Sequence, residues 1–312
     1  AALQALSAFN LDLLGLDVSR VLVNSLPAQF TRAGRELTIT PLLPIPAGAP
    51  FHVQVEYSGT PQAIADPSLG STIGFQFTRH GAYVASEPDG AATWFPVNDH
   101  PSDKATYTFV LTVPEGQTAV ANGLLLDVQT DDGLTTFAWQ MNQPMASYLA
   151  LVAVGDYQIV LADPAGDVPL RNVFPTRYVE AGTHVFASQD EMLVFFASVF
   201  GDYPFDTYGA LVIPDVLTFA LETQSLSLFG LPMLLNNLSN PDAGSVVVAH
   251  ELAHAWFGDA VSQASHDREI VADEQIGQTL FRPKLQQQFD DLGLDGYVQR
   301  RHGLVANDKL RP

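Results

Sequence analysis

A chain of 312 residues, 47% of them hydrophobic, is long enough to bury one large core or two ordinary ones, and two domains are expected. Fourteen basic residues against 34 acidic ones give a formal charge of −20, which repels nucleic acid and anionic lipid and argues against polybasic anchoring. With no cysteine, the chain can form no disulfide, thiolate metal site or Cys nucleophile.

The sequence opens AALQALSAFNLDLL, without an initiating Met, a basic n-region or a small-residue cleavage pattern, so an upstream segment is expected. Its longest apolar runs, such as Tyr148 to Val154 and Val246 to Ala249, are far shorter than the roughly 20 residues that cross a bilayer, and no membrane span is expected. From residue 1 to about 157, apolar and polar residues alternate in HVQVEY, GFQFTRHGAYVA, ATYTFVLTVPEG and TTFAWQM, the period of half-buried strands. The intervening PLLPIPAGAP and DPSLGST are loops, and no repeat of fixed period appears. This half predicts an antiparallel sandwich or an open twisted sheet.

From about Thr183 the apolar spacing becomes helical, in HVFASQDEMLVFFASVFG, with Gly201 as a C-terminal stop. A second helix is predicted through SVVVAHELAHAWFG, capped by Asp242 or Ser245 and closed by Gly258.

That helix carries His250-Glu251-Leu252-Ala253-His254. Histidines four residues apart lie one above the other on a helix and can converge on one tetrahedral ion, while the adjacent Glu251 can accept a proton from water activated by that ion. With 8 His in the chain, chance placement would yield this pattern only roughly 0.006 times per chain of this composition, so a metal helix is favoured over two structural histidines.

HELAHAWFGDAVS resembles the zinc helix of the M1 family of aminopeptidases, gluzincins that include the leukotriene A4 hydrolases. The resemblance extends to WFPVNDHPSDKATYTFVLTVPEG, VANG, QPMASYLALVAVGDY and YPFDTYGALVIPD, covering most of residues 75 to 260. In that family a Gly-Ala-Met-Glu-Asn motif ahead of the helix supplies a Glu that grips the substrate's α-amine. Phe219-Ala220-Leu221-Glu222-Thr223 occupies the equivalent place and retains the Ala and the Glu, so the resemblance implies amine binding by Glu222, with Glu87 as a second acceptor. The chemistry is reasonable: an ammonium entering a partly dehydrated cleft needs a charged acceptor to offset lost hydration.

The family's third zinc ligand is a Glu after 18 intervening residues, within Trp-Leu-Asn-Glu-Gly-Phe-Ala; counted from His254 that position is Asp273. The neighbouring Glu274 better matches the local Asn-Glu order and is the preferred candidate, with Asp273 the alternative; the surrounding EIVADEQIGQTLF departs from the family segment. The family's oxyanion Tyr is not assigned here, because Tyr297 lies in a tail without likeness to it. Trp256 and Phe257 are expected to pack in the core, and His52, His80, His100, His184, His266 and His302 to be structural or surface residues.

The resemblance implies an α+β protein: an N-terminal antiparallel β-sandwich or saddle domain over residues 1–157, lacking its first strands, then an incomplete thermolysin-like, mainly helical catalytic domain over 158–312. It implies one Zn2+ held by His250, His254 and Glu274 (or Asp273), with Glu251 as the base and peptides with a free N-terminus as substrates. A metallo-endopeptidase, or a catalytically impaired peptide-binding relative, is the alternative. Composition leans towards an extracytoplasmic bacterial setting.

Overall fold

The computed structural model describes residues 2–66, 70–217, 219–239 and 241–261. The chain begins with two three-stranded antiparallel sheets, one ordered Phe9–Asp12, Glu36–Thr40, Gln29–Ala33 and the other Leu26–Pro27, Asp17–Val23, Val53–Ser58. In Glu36–Thr40 every second side chain, Leu37 and Ile39, points inwards, and both join Val21, Val23 and Ile45 in a small core. Arg35, in the turn between Gln29–Ala33 and Glu36–Thr40, reaches out of this unit to Asp12, Asp89 and Asp99.

Two further antiparallel sheets follow. One orders Ala105–Pro114, Leu134–Met145 and Leu124–Asp131; the other orders Thr118–Ala121, Val152–Gly155, Gly81–Ala85, Ser71–Thr78 and Ile64–Asp66. Strand Leu134–Met145 alternates as the sequence predicts, burying Thr135, Phe137, Trp139 and Met141. The β-rich first part is therefore present, built from paired antiparallel sheets.

The second part adds a sheet to the expected helices. A four-stranded sheet, Tyr157–Ala165, Val168–Pro175, Ala210–Ile213 and Ser227–Gly230, runs between its helices, antiparallel at the first pair and parallel at the other two. Its inner strands are buried on both faces and read as short apolar runs without alternation, which periodicity does not separate from helix. The helices are α1 (Val179–Val185), α2 (Gln189–Phe200), α3 (Leu231–Ser239) and α4 (Pro241–Ala253). Helix α2 stops at Gly201, whose φ of 96° suits a residue without a Cβ.

Helix α4 differs from its predicted limits at both ends. It starts at Pro241, a residue whose missing N–H is no loss in a first turn, so neither Asp242 nor Ser245 stands before it as a cap. It ends at Ala253 rather than running to Gly258. There the chain tightens: Ala255 N donates to Leu252 O and Trp256 N to Ala253 O, both at 3.2 Å. The cause is tertiary. Trp256 turns into a pocket of Phe196, Phe200 and Tyr203, with Nε1 donating to Gly201 O at 3.0 Å, and Phe257 packs edge-on against Phe200. Both are core residues, as their type suggested.

One continuous core joins the two parts, since Trp139, Met141, Tyr148, Leu149 and Leu151 belong to the same buried cluster as Phe196, Tyr208, Leu252 and Trp256. Among the described residues no helix is long and apolar enough to cross a membrane.

Candidate metal centre

His250 lies in the last turn of α4 and His254 just beyond it, and His254 N still reaches His250 O at 3.4 Å, so the helical spacing of the pair survives. Their Nε2 atoms stand 3.1 Å apart. Two nitrogens about 2.0–2.1 Å from one tetrahedral ion would be about 3.3 Å apart, so the pair is set for a shared cation with almost no movement. His254 Nδ1 lies 3.0 Å from Phe257 O; a carbonyl only accepts, so Nδ1 carries a proton and Nε2 is the ring's metal-binding nitrogen. The His250 ring is open to solvent on one side but surrounded by packed protein on the other, and that burial, with His254 second, pushes its pKa down to about 4. The His250 ring is thus a neutral ligand at physiological pH.

Glu251, the next residue, is only 6% exposed. Burial raises its carboxyl to about 8; His254 pulls the other way and Glu222 adds to the rise. Glu222 is 7% exposed and lies close enough for its charge to be felt at Glu251. The structure therefore brings His250, His254, Glu251 and Glu222 into one site. Among the described residues no third His, Cys, Asp or Glu joins the histidines as a metal-binding group. Glu274 and Asp273 lie outside the described residues, as do Tyr297, His266, Glu269 and His302.

Glu222 owes its place to a small hairpin. Leu221 and Leu228 exchange two backbone hydrogen bonds, at 3.0 and 2.7 Å, and Leu226 N closes the turn on Thr223 O at 2.9 Å. Glu222 sits between the bridge and the turn.

Comparison with known proteins shows the family. The sequence model of the peptidase M1 N-terminal domain matches residues 21–149, and that of the peptidase family M1 domain matches residues 185–273, together more than half of the chain. The chain belongs to the M1 peptidase family. Aminopeptidase A of Gloydius brevicauda is 30% identical over 210 residues, 62% of this chain and 22% of that protein. Leucine aminopeptidase 2 of Yarrowia lipolytica is 29% identical over 272 residues, 82% of this chain and 38% of that protein. The crystal structure of the M1 zinc metallopeptidase of Deinococcus radiodurans superposes with a TM-score of 0.76 at 31% identity, covering 84% of this chain and 59% of that one. A variant of the same enzyme has been solved bound to a Tyr-Ser-Ala substrate, with a TM-score of 0.74 to this chain. This M1 chain spans well under half the length of the curated relatives it matches.

Within the M1 fold the remaining predicted residues divide. Glu87 lies half-buried in the turn after strand Gly81–Ala85, joined to Pro88 by a cis bond, and Asp89 of that turn is held by Arg35 Nη1 at 2.7 Å. His52, His80 and His184 are exposed and His100 is half-buried with Ser102 Oγ 2.8 Å from its Nδ1, none of them near metal spacing. Sequence reasoning missed three contributors. Tyr208 is buried where the Glu251 charge raises its pKa further after desolvation, with its hydroxyl 3.1 Å from Ser227 Oγ. Lys104 Nζ donates to the carbonyls of Asp259 and Ala260 and so ties the turn beyond His254 to the β part. Asn122 joins the β part to the Glu222 hairpin.

Proposed function

We propose that this chain is a zinc-dependent aminopeptidase that hydrolyses the N-terminal bond of peptides with a free α-amine. The observation that carries the reading is the second buried carboxylate: Glu222, almost wholly enclosed, stands within electrostatic reach of Glu251 beside the paired imidazoles. Two carboxylates sharing a buried space repel each other, and a cationic substrate group between them is what relieves that cost. A peptide ammonium is such a group.

The donor set fits the metal named for the solved relative, because two imidazoles with converging Nε2 atoms are borderline ligands of the kind zinc prefers. His250 and His254 would hold one Zn2+, with Glu274, or Asp273, completing the set. When bound, the ion acts as a Lewis acid on the scissile carbonyl and makes water more acidic. Glu251 takes the proton from the attacking water on its Oε and passes it to the leaving nitrogen. Glu222 fixes the substrate ammonium so that only the first peptide bond reaches Glu251, with Glu87 as a second acceptor. A domain boundary at 157/158 is supported by the change of sheet beside it, since strand Val152–Gly155 and strand Tyr157–Ala165 belong to different sheets.

Zinc content and release of an aminoacyl fluorophore, measured on the chain and on Glu251→Gln and Glu222→Ala variants, test the reading. Stoichiometric zinc, turnover abolished by Glu251→Gln and strongly reduced by Glu222→Ala are expected. Absence of bound zinc, or equal cleavage of N-acetylated and free peptides, would refute it.

A further inference from the structure

The tip of the Glu222 hairpin is unusual for a loop, because Thr223, Gln224 and Ser225 are all buried, so their polar groups need protein partners. The β part supplies them for Gln224 O and Ser225 Oγ. Asn122, fully buried in the link between strands Thr118–Ala121 and Leu124–Asp131, donates from Nδ2 to Gln224 O at 2.7 Å and to Leu149 O at 3.0 Å, while its Oδ1 accepts from Leu151 N at 2.6 Å. Gly123 N donates to Ser225 Oγ at 2.8 Å. Two consecutive residues of the β part thus grip two consecutive residues of the hairpin tip, 102 positions later in the chain.

The gripping side is the rigid one. Gly123 has φ 81°, and a Cβ there would lie 2.0 Å from Gln140 O, so the turn is pressed against the neighbouring strand. From the other face Arg171, stacked 4.5 Å over Trp139, donates to Gly123 O at 2.9 Å and to Ala121 O at 3.4 Å. The second arm of the hairpin is anchored in the four-stranded sheet through Ser227–Gly230, whereas its first arm and tip are held within the hairpin by the Leu221–Leu228 bridge and the Thr223–Leu226 closure. Ser225 is held at φ 68°, a conformation in which glycine is at ease and serine is strained.

We infer that the Asn122–Gly123 turn of the β part positions Glu222 for amine recognition, by clamping Gln224 and Ser225 two and three residues further along. Neither residue touches the substrate; each acts through the hairpin. The inference rests on the reading of Glu222 as the amine acceptor. It predicts that loosening the clamp spoils recognition of the free amine and leaves the metal and Glu251 intact.

The test uses the full chain, an aminoacyl fluorophore and its N-acetyl analogue, and four proteins: Asn122→Ala, Ser225→Gly, Glu222→Gln and the Asn122→Ala/Glu222→Gln double variant. Ser225→Gly removes the Oγ acceptor while suiting the left-handed backbone, so it keeps the fold even if Asn122→Ala does not. Either single clamp variant should raise KM for the free-amine substrate about tenfold to a hundredfold, with zinc content unchanged and acetylated-substrate turnover unaffected. In the Glu222→Gln background the Asn122 change should add nothing further to KM, because its effect passes through the missing charge. If Asn122→Ala does not fold, the same comparison is made with Ser225→Gly. A clamp variant with unchanged KM, or effects that multiply in the double variant, would overturn the inference. A Glu222→Gln protein that treats free and acetylated substrates as wild type does would instead overturn the role of Glu222 itself.

Discussion

Replacing Glu222 by Gln removes one charge and almost no volume, so it isolates what the carboxylate does. In the folded protein Glu222 is 7% exposed and its charge reaches Glu251, which puts the substrate ammonium in a poorly hydrated space. A hydrogen bond between charged partners in such a place is worth about 1.5–3 kcal/mol net, and at about 1.4 kcal/mol per tenfold step that is a loss of about 10- to 150-fold in kcat/KM. The loss should fall on substrates with a free amine and spare their N-acetylated analogues. Competitive inhibition by free amino acids should weaken by a similar factor, which gives a binding measurement independent of turnover. Steady-state hydrolysis of paired free and acetylated aminoacyl fluorophores, with zinc content checked on each protein, is the assay. Equal losses on both substrates would mean that the carboxylate supports the site as a whole, and no loss on either would mean that the amine is bound elsewhere; either result refutes the reasoning.

Gly123→Ala should cost about 3 kcal/mol or more and lower the melting temperature sharply, because φ 81° and a 2.0 Å approach to Gln140 O leave a Cβ nowhere to go. Arg35→Met should destabilise by about 1–3 kcal/mol in urea unfolding, since it strips three aspartates, among them the fully enclosed Asp99, of their shared cation. Lys104→Met should weaken zinc affinity about tenfold in competition with a chelator, by freeing the turn that fixes His254 Nδ1 on Phe257 O, while the melting temperature changes little.

How much of this was legible follows from how local each signal is. His250, Glu251 and His254 were readable because the helix repeat alone brings them together, and the resemblance carried Glu222. Neither could reveal that Glu222 sits on a buried hairpin, since its walls come from Leu228 and from Asn122, a hundred residues earlier. Asn122 entered only as part of VANG and Arg171 carried no local signal, because their carbonyl partners lie 27 to 102 positions away. Gly258 drew the end of α4 too far along because glycine is a local stop signal, whereas the packing of Trp256 ended the helix earlier. The parallel strands escaped for want of alternation.

These long-range ties bear on whether the chain can be divided at 157/158. Topology favours a cut near it, because the sheets change at Asp156. Energetics opposes one, because Trp139, Tyr148, Leu149 and Leu151 on one side share a core with Phe196, Tyr208, Leu252 and Trp256 on the other. A piece beginning at residue 158 would expose the inner face of that core and leave the carbonyls of Gln224, Asp259 and Ala260 without Asn122 and Lys104. At roughly 1.5–3 kcal/mol for each large side chain exposed, the loss at Phe196, Tyr208, Leu252 and Trp256 is comparable with the 5–15 kcal/mol that holds an ordinary domain together. Residues 158–312 alone should therefore show no cooperative thermal transition and should bind zinc weakly, while adding residues 1–157 as a separate chain should restore both. A cooperative transition and unchanged zinc affinity in the isolated piece would show that the β part is an appendage to the site, not one of its walls.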